Sequence, residues 1–232
     1  MRESRRLSVL VLLVTAVAGA FAGNSVHRAA QARAGADARY RIDAATAHRD
    51  HVPVLPTRVR DATFRFAAGT PAGDRAAFLT AVAAARPPAR RLIDLVDGLV
   101  DVTIGPTGEP GAVGITESGG PRYEVTVDLG RVARLYGARG IDRVVLHELG
   151  HVVDHAIVPD DVMAGLQAGI PAGYGCDQGI AGACAAPPER FAESFAKWAT
   201  GDIGLDLFIG YKVLPPTPTL DAWGAPLAAL GR

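Results

Sequence analysis

The chain has 232 residues, enough for one domain with a real core. Apolar residues make up 49 % and charged residues 21 %, a balance that excludes a disordered chain. The 24 basic and 24 acidic residues cancel, so the charge gives no reason to expect nucleic acid or an anionic membrane as a partner.

The N-terminus has the pattern of an export signal. Arg2, Arg5 and Arg6 are followed by the apolar run "LSVLVLLVTAVAGAFA", and Ala20-Phe21-Ala22 fits a small-x-small cleavage site. The run is shorter than the roughly 20 residues that span a bilayer comfortably. Residues 1–22 are therefore expected to be a signal peptide, with an uncleaved membrane anchor as the alternative. Residues 23–70 show little periodicity, and Pro53 and Pro56 break the stretch "HRDHVPVLPTRVRD". They are expected to form a linker, an N-terminal arm or a short prosegment, with His48 and His51 solvated.

From residue 71 the pattern tightens into one domain, 71–232. "GDRAAFLTAVAAAR" has apolar residues at helical spacing and stops at Pro87-Pro88. "PARRLIDLVDG" predicts a second helix, with proline at its start and Gly98 after its end. "LVDVTIG", "AVGITE" and "RYEVTVDL" predict three short strands, the last two separated by the turn signal "SGG". "RVARLYG" predicts a helical turn or more. A long helix follows over Ile141 to Ile157, stopped by Pro159. The glycine-rich stretch 168–186 is expected to be a loop. Cys176 and Cys184 both lie in it, and in an exported chain they predict a disulfide. "PPERFAESFAKWATGD" predicts an amphipathic helix that ends at Gly201. The proline-rich tail is expected to wrap the surface, with one last helical turn at most.

The chemistry concentrates in "VVLHELGHVVDH". His147-Glu148-Leu149-Gly150-His151 is H-E-x-x-H. Residues four apart on a helix are neighbours on one face, so His147 and His151 can ligate one zinc ion. Glu148 lies about 100° further round the helix, near the ion but not on it, as a general base must be. A catalytic zinc takes three protein ligands. His155 is two turns from His147, too far along a straight helix to join both histidines, and is expected to be an outer or surface residue. The pattern H-E-x-x-H-x-x-G-x-x-H is absent. In "ERFAESFAKW", Glu189 and Glu193 lie four apart on one helix face. One can ligate while the other accepts an N–H from a ligating imidazole.

"HELGHVVDH" followed by "ERFAESFAKW" resembles the gluzincin metallopeptidases, specifically the anthrax lethal factor-like peptidases and the secreted Pro–Pro endopeptidases. The resemblance covers about Ile141 to Gly201. It implies one Zn2+ held by His147, His151 and Glu189, with Glu148 as base and Glu193 behind a ligand. Asp154 matches an acidic position that orients a ligand or the helix. The family also uses a tyrosine shortly before the ligand glutamate to stabilise the oxyanion. Tyr174 is the nearest, at a longer spacing than usual, and Tyr123 and Tyr211 are rivals. The resemblance further implies an edge strand at "RYEVTVDL" that pairs with extended substrate.

The expected protein is thus an α+β, zincin-like domain: a small twisted sheet over an H-E-x-x-H helix, with a C-terminal helical part. The expected function is that of a secreted, monomeric zinc metalloendopeptidase. Its partner would be a protein or peptide substrate, with no nucleic acid and no stable membrane association after signal cleavage. The alternatives are a zinc hydrolase of a non-peptide or cell-wall amide, and an exported binding module with a degenerate site.

Overall fold

A computed structural model of the chain describes residues 64–118, 120–171, 185–204, 206–207, 209, 213–217 and 219–231. The expected signal peptide, His48, His51, Tyr174, Cys176, Cys184 and Tyr211 lie outside these residues. The architecture is mixed α and β, with six helices and one four-stranded sheet among the described residues. None of these helices is long and apolar enough to cross a membrane.

Strand β1 (Arg65–Phe66) is followed by helices α1 (Ala72–Ala84) and α2 (Pro87–Val96). Phe78, Ala81 and Val82 of α1, and Ala89, Leu92, Ile93 and Val96 of α2, recur at helical spacing and are buried. Proline starts α2, where its missing N–H has no helical partner to lose. A 3₁₀ turn, Asp97–Leu99, leads into β2 (Val100–Ile104), β3 (Gly114–Ser118) and β4 (Tyr123–Val127). The sheet order is β1-β2-β4-β3. The first three strands in that order run parallel, and β3 is antiparallel to β4. Val100, Val102, Val125 and Val127 form the sheet's buried side.

Helix α3 (Leu129–Ile157) crosses the molecule from the end of β4. Asp128 caps it by accepting from the Arg131 N–H at 2.9 Å. Gly137 interrupts it with φ 66°, a left-handed value open to glycine, so two helical segments meet there at an angle. Helix α4 (Asp160–Ala168) follows. Helix α5 (Pro187–Thr200) starts on a proline pair and ends at Gly201, also left-handed at φ 71°. Helix α6 (Leu220–Leu230) closes the described chain, capped by Thr219 on the Ala222 N–H.

Three expectations change and one helix is added, four changes in all. The arm does not extend to residue 70, because Phe64 and Phe66 pack edge-on against Phe78 and Arg65–Phe66 pair with β2. Residues 160–168 form a helix. The tail is not a surface wrap: Trp223 and Leu227, one helical turn apart, are buried, and the Trp223 indole donates to the Leu166 carbonyl at 3.0 Å. The fourth change concerns the strand "RYEVTVDL", which is not an edge. It lies between β2 and β3, and among the described residues the edge on that side is β3.

Candidate metal centre

The site forms where α3 and α5 cross face to face. Gly150, inside the H-E-x-x-H motif, permits the approach. A Cβ at that position would stand 3.1 Å from the Ala192 Cα and 3.2 Å from the Phe195 ring. Phe191, Phe195 and Ala196 are fully buried on the α5 side, with Val145, Leu149, Val152 and Val153 on the α3 side. Burial of these apolar residues fixes the rotation of both helices about their axes. That rotation turns two histidines of one helix toward two glutamates of the other.

His147, His151 and Glu189 each offer one ligand atom, and the three atoms lie within 4.8 Å of one another. The Nε2 atoms of the two histidines are 3.2 Å apart. Glu189 Oε2 is 3.1 Å from His147 Nε2, and Glu189 Oε1 is 3.7 Å from His151 Nε2. Donor atoms around a tetrahedral zinc, with bonds of about 2.0–2.1 Å, stand about 3.3 Å apart. The donor set and its spacing therefore fit a small divalent cation. The electrostatics fit as well. Burial alone would lower the His147 pKa, but Glu189 and Glu193 against its two nitrogens, with Glu148 nearby, push it up to about 10. Burial would raise the Glu189 pKa, yet its hydrogen bonds to both histidines hold it below the usual carboxylate range. The cluster is built to hold positive charge, as a proton or as a metal. His147 and Glu189 keep 14 % and 16 % of their side chains exposed against 6 % for His151, so the centre opens to solvent on their side.

Glu148 stands beside this triangle without joining it. Its carboxylate lies against β3, where the Thr116 hydroxyl is 2.8 Å from Oε2 and 3.1 Å from the Glu148 carbonyl. Gly114 makes the space, since a Cβ there would collide with Glu148 Oε1. Burial pushes the Glu148 carboxyl above its usual range, against the opposing pull of the two histidines. A raised carboxyl pKa suits proton transfer near neutral pH.

Glu193 lies one turn along α5 from Glu189. Its Oε2 faces His147 Nδ1 at 3.4 Å. Its Oε1 accepts from Lys197 Nζ at 2.5 Å and Arg143 Nη1 at 3.3 Å. Asp154 is buried on α3 three residues beyond His151, but is not one of the three gathered donors, and neither is His155. Tyr123 is partly buried against the core at the head of β4.

Sequence reasoning missed Thr116, Gly114, Arg143 and Lys197. For the last two a signal was present. Arg143 is four residues before His147, and Lys197 is four after Glu193, so each continues a functional stripe. Thr116 and Gly114 carried no such signal. No protein-family model, no curated protein and no solved structure matches this chain.

Proposed function

We propose that the chain is a secreted zinc metalloendopeptidase of the zincin type, similar to the lethal factor-like and Pro–Pro endopeptidase-like gluzincins. The observation that carries this reading is the pairing of a three-donor triangle, His147, His151 and Glu189, with a buried glutamate next to it that is not a donor. A structural metal site has no use for such a glutamate and usually closes with a fourth protein ligand. His147, His151 and Glu189 would hold the ion. When bound, zinc would polarise a scissile carbonyl and make water a nucleophile at neutral pH.

The other roles belong to the chain itself. Glu148 takes the proton of the attacking water and passes it to the leaving amine. Thr116 keeps the glutamate aimed by holding one of its oxygens, and Glu193 holds His147 from behind. The oxyanion role expected of Tyr174 belongs to the same proposal.

Substrate pairing moves from β4 to β3, the edge strand that carries both Gly114 and Thr116. Val113 already bonds toward the β4 side through its carbonyl. By alternation, residues 114, 116 and 118 turn their backbone N–H and C=O groups outward. An extended peptide added there would run past Glu148.

Metal analysis and a peptide-library digest, run on the native protein and on Glu148→Gln, test the reading. The native protein should hold one zinc and cleave peptides. The variant should keep zinc and lose cleavage by at least about 100-fold, the lower range of a general base's contribution. Cleavage that survives in Glu148→Gln would overturn it.

A further inference from the structure

One turn from the donor triangle, the α3–α5 interface holds two cations, Arg143 and Lys197, to which the proposed reaction gives no part. Arg143 is 2 % exposed and Lys197 is 0 % exposed. Cations are almost never buried so deeply unless they are paired. Their common partner is Glu193, and both approach the same oxygen. The two helices carry opposed ladders at four-residue spacing. Arg143, His147 and His151 climb α3, while Lys197, Glu193 and Glu189 descend the facing side of α5. Each middle rung meets its neighbours on the opposite ladder.

We propose that Lys197 and Arg143 are positioning residues for the metal centre: by binding Oε1 of Glu193, they commit its Oε2 to His147 Nδ1 and so turn Nε2 of that ring toward Glu189 and His151. This rests on the metal reading of the site. A carboxylate flanked by two helices has two equivalent oxygens and several rotamers. A ring that lacks a fixed acceptor at Nδ1 takes either tautomer, and one of them presents an N–H where a ligand lone pair is needed. Lys197 at 2.5 Å and Arg143 at 3.3 Å remove that freedom.

Arg143 is itself held. It donates to the Asp202 carbonyl at 3.0 Å, and the turn after α5 closes over it at Gly204. A Cβ at Gly204 would collide with Arg143 Nη2, and the backbone there is left-handed at φ 61°. The turn is shaped around the guanidinium.

The test is a double-mutant cycle on zinc affinity, measured by competition with a chelator, with the thermal melt of the zinc-free protein recorded alongside. Lys197→Met should weaken zinc binding about 10–100-fold, the range for outer partners of a ligating histidine. In the Glu193→Gln background the same change should cost less than about 2-fold, because its effect runs through that carboxylate. Equal losses in both backgrounds, or no loss in either, overturn the inference and leave Lys197 a folding residue. Arg143→Gln gives a second cycle with the same expected pattern if Lys197→Met does not fold.

A measurement on the native protein needs no variant. In the zinc-loaded form, the nitrogen-15 spectrum of His147 should place its ring proton on Nδ1. A proton on Nε2 overturns the inference while zinc binding stands. A native protein that takes up no zinc, or a His147→Ala variant that binds it unchanged, overturns the metal reading, and the inference with it.

Discussion

At the α3–α5 crossing, the three donors are fixed from two sides by apolar packing and by buried charge. At the α3–β3 contact, Glu148 is fixed by one hydroxyl and one missing side chain. The first contact gathers three donors that could hold an ion. Its helices meet through Gly150 and Ala192, and its charges are paired along two ladders. The second holds a single buried carboxylate beside the donors without making it one of them. Under the proposed function the difference separates binding from chemistry, so variants at one contact should move metal affinity and variants at the other should move turnover.

The largest expected effect is at the donor contact. Glu189→Ala removes one of three donors and should lower zinc affinity by more than about 100-fold, beyond the range for outer partners. His155→Ala, outside the gathered donors, should change it by less than about 2-fold. Chelator competition reads both, and the reverse order would overturn the ligand set.

The Glu148 contact, the base in the proposed function, should respond in the opposite way. Gly114→Ala puts a methyl where Glu148 Oε1 now sits, and the β3 backbone accepts alanine because its φ is not left-handed. Peptide cleavage should fall about 100-fold, the cost of a misplaced catalytic group, while bound zinc stays the same. Loss of zinc in Gly114→Ala would show that the two contacts are not independent.

Gly150→Ala strikes the crossing itself. Its methyl meets the Ala192 backbone, which cannot swing aside as a side chain could. Overpacking of this kind costs about 1–3 kcal/mol. The melting temperature and the zinc affinity should fall together. A drop in one alone would mean that the helix spacing does not set the donor triangle.

These contacts differ in how far the sequence revealed them. His147, His151, Glu189 and Glu193 were legible because a helix writes its faces at four-residue spacing, and two faces with complementary chemistry imply each other. Arg143 and Lys197 continue those stripes, but charged side chains are placed in solvent by default, and only the partner helix shows otherwise. Thr116 and Gly114 were not legible at all. Their role depends on β3 being the edge, and a crossover order such as β1-β2-β4-β3 leaves no local trace in the chain. The tail helix is hidden for another reason. Pro215, Pro216 and Pro218 precede it and Pro226 sits within it, so this punctuation masks the Trp223–Leu227 stripe that anchors it.

The smallest effect is expected at the outermost rung of the α3 ladder. Arg139, one turn before Arg143, forks onto Asp202 and Asp206, with contacts of 2.5–2.9 Å. Its side chain is 46 % exposed, so solvent screens the clamp. Arg139→Ala should therefore lower the melting temperature by no more than about 2–4 °C at neutral pH. The sign of its pH dependence follows from the aspartates. The Arg139 hydrogen bonds hold both carboxyls below their usual range, so the clamp is fully present above the ordinary aspartate pKa of about 3.9. It is lost as pH falls through the lower folded values. The gap between variant and native protein should close as the medium is acidified below that point, and it should also narrow in high salt. Zinc affinity should stay within about 2-fold, since Arg139 touches neither Glu193 nor a donor in any of these contacts. A loss comparable to that of Lys197→Met would carry the ladder's influence out to the surface and erase the boundary between the buried rungs and the exposed one.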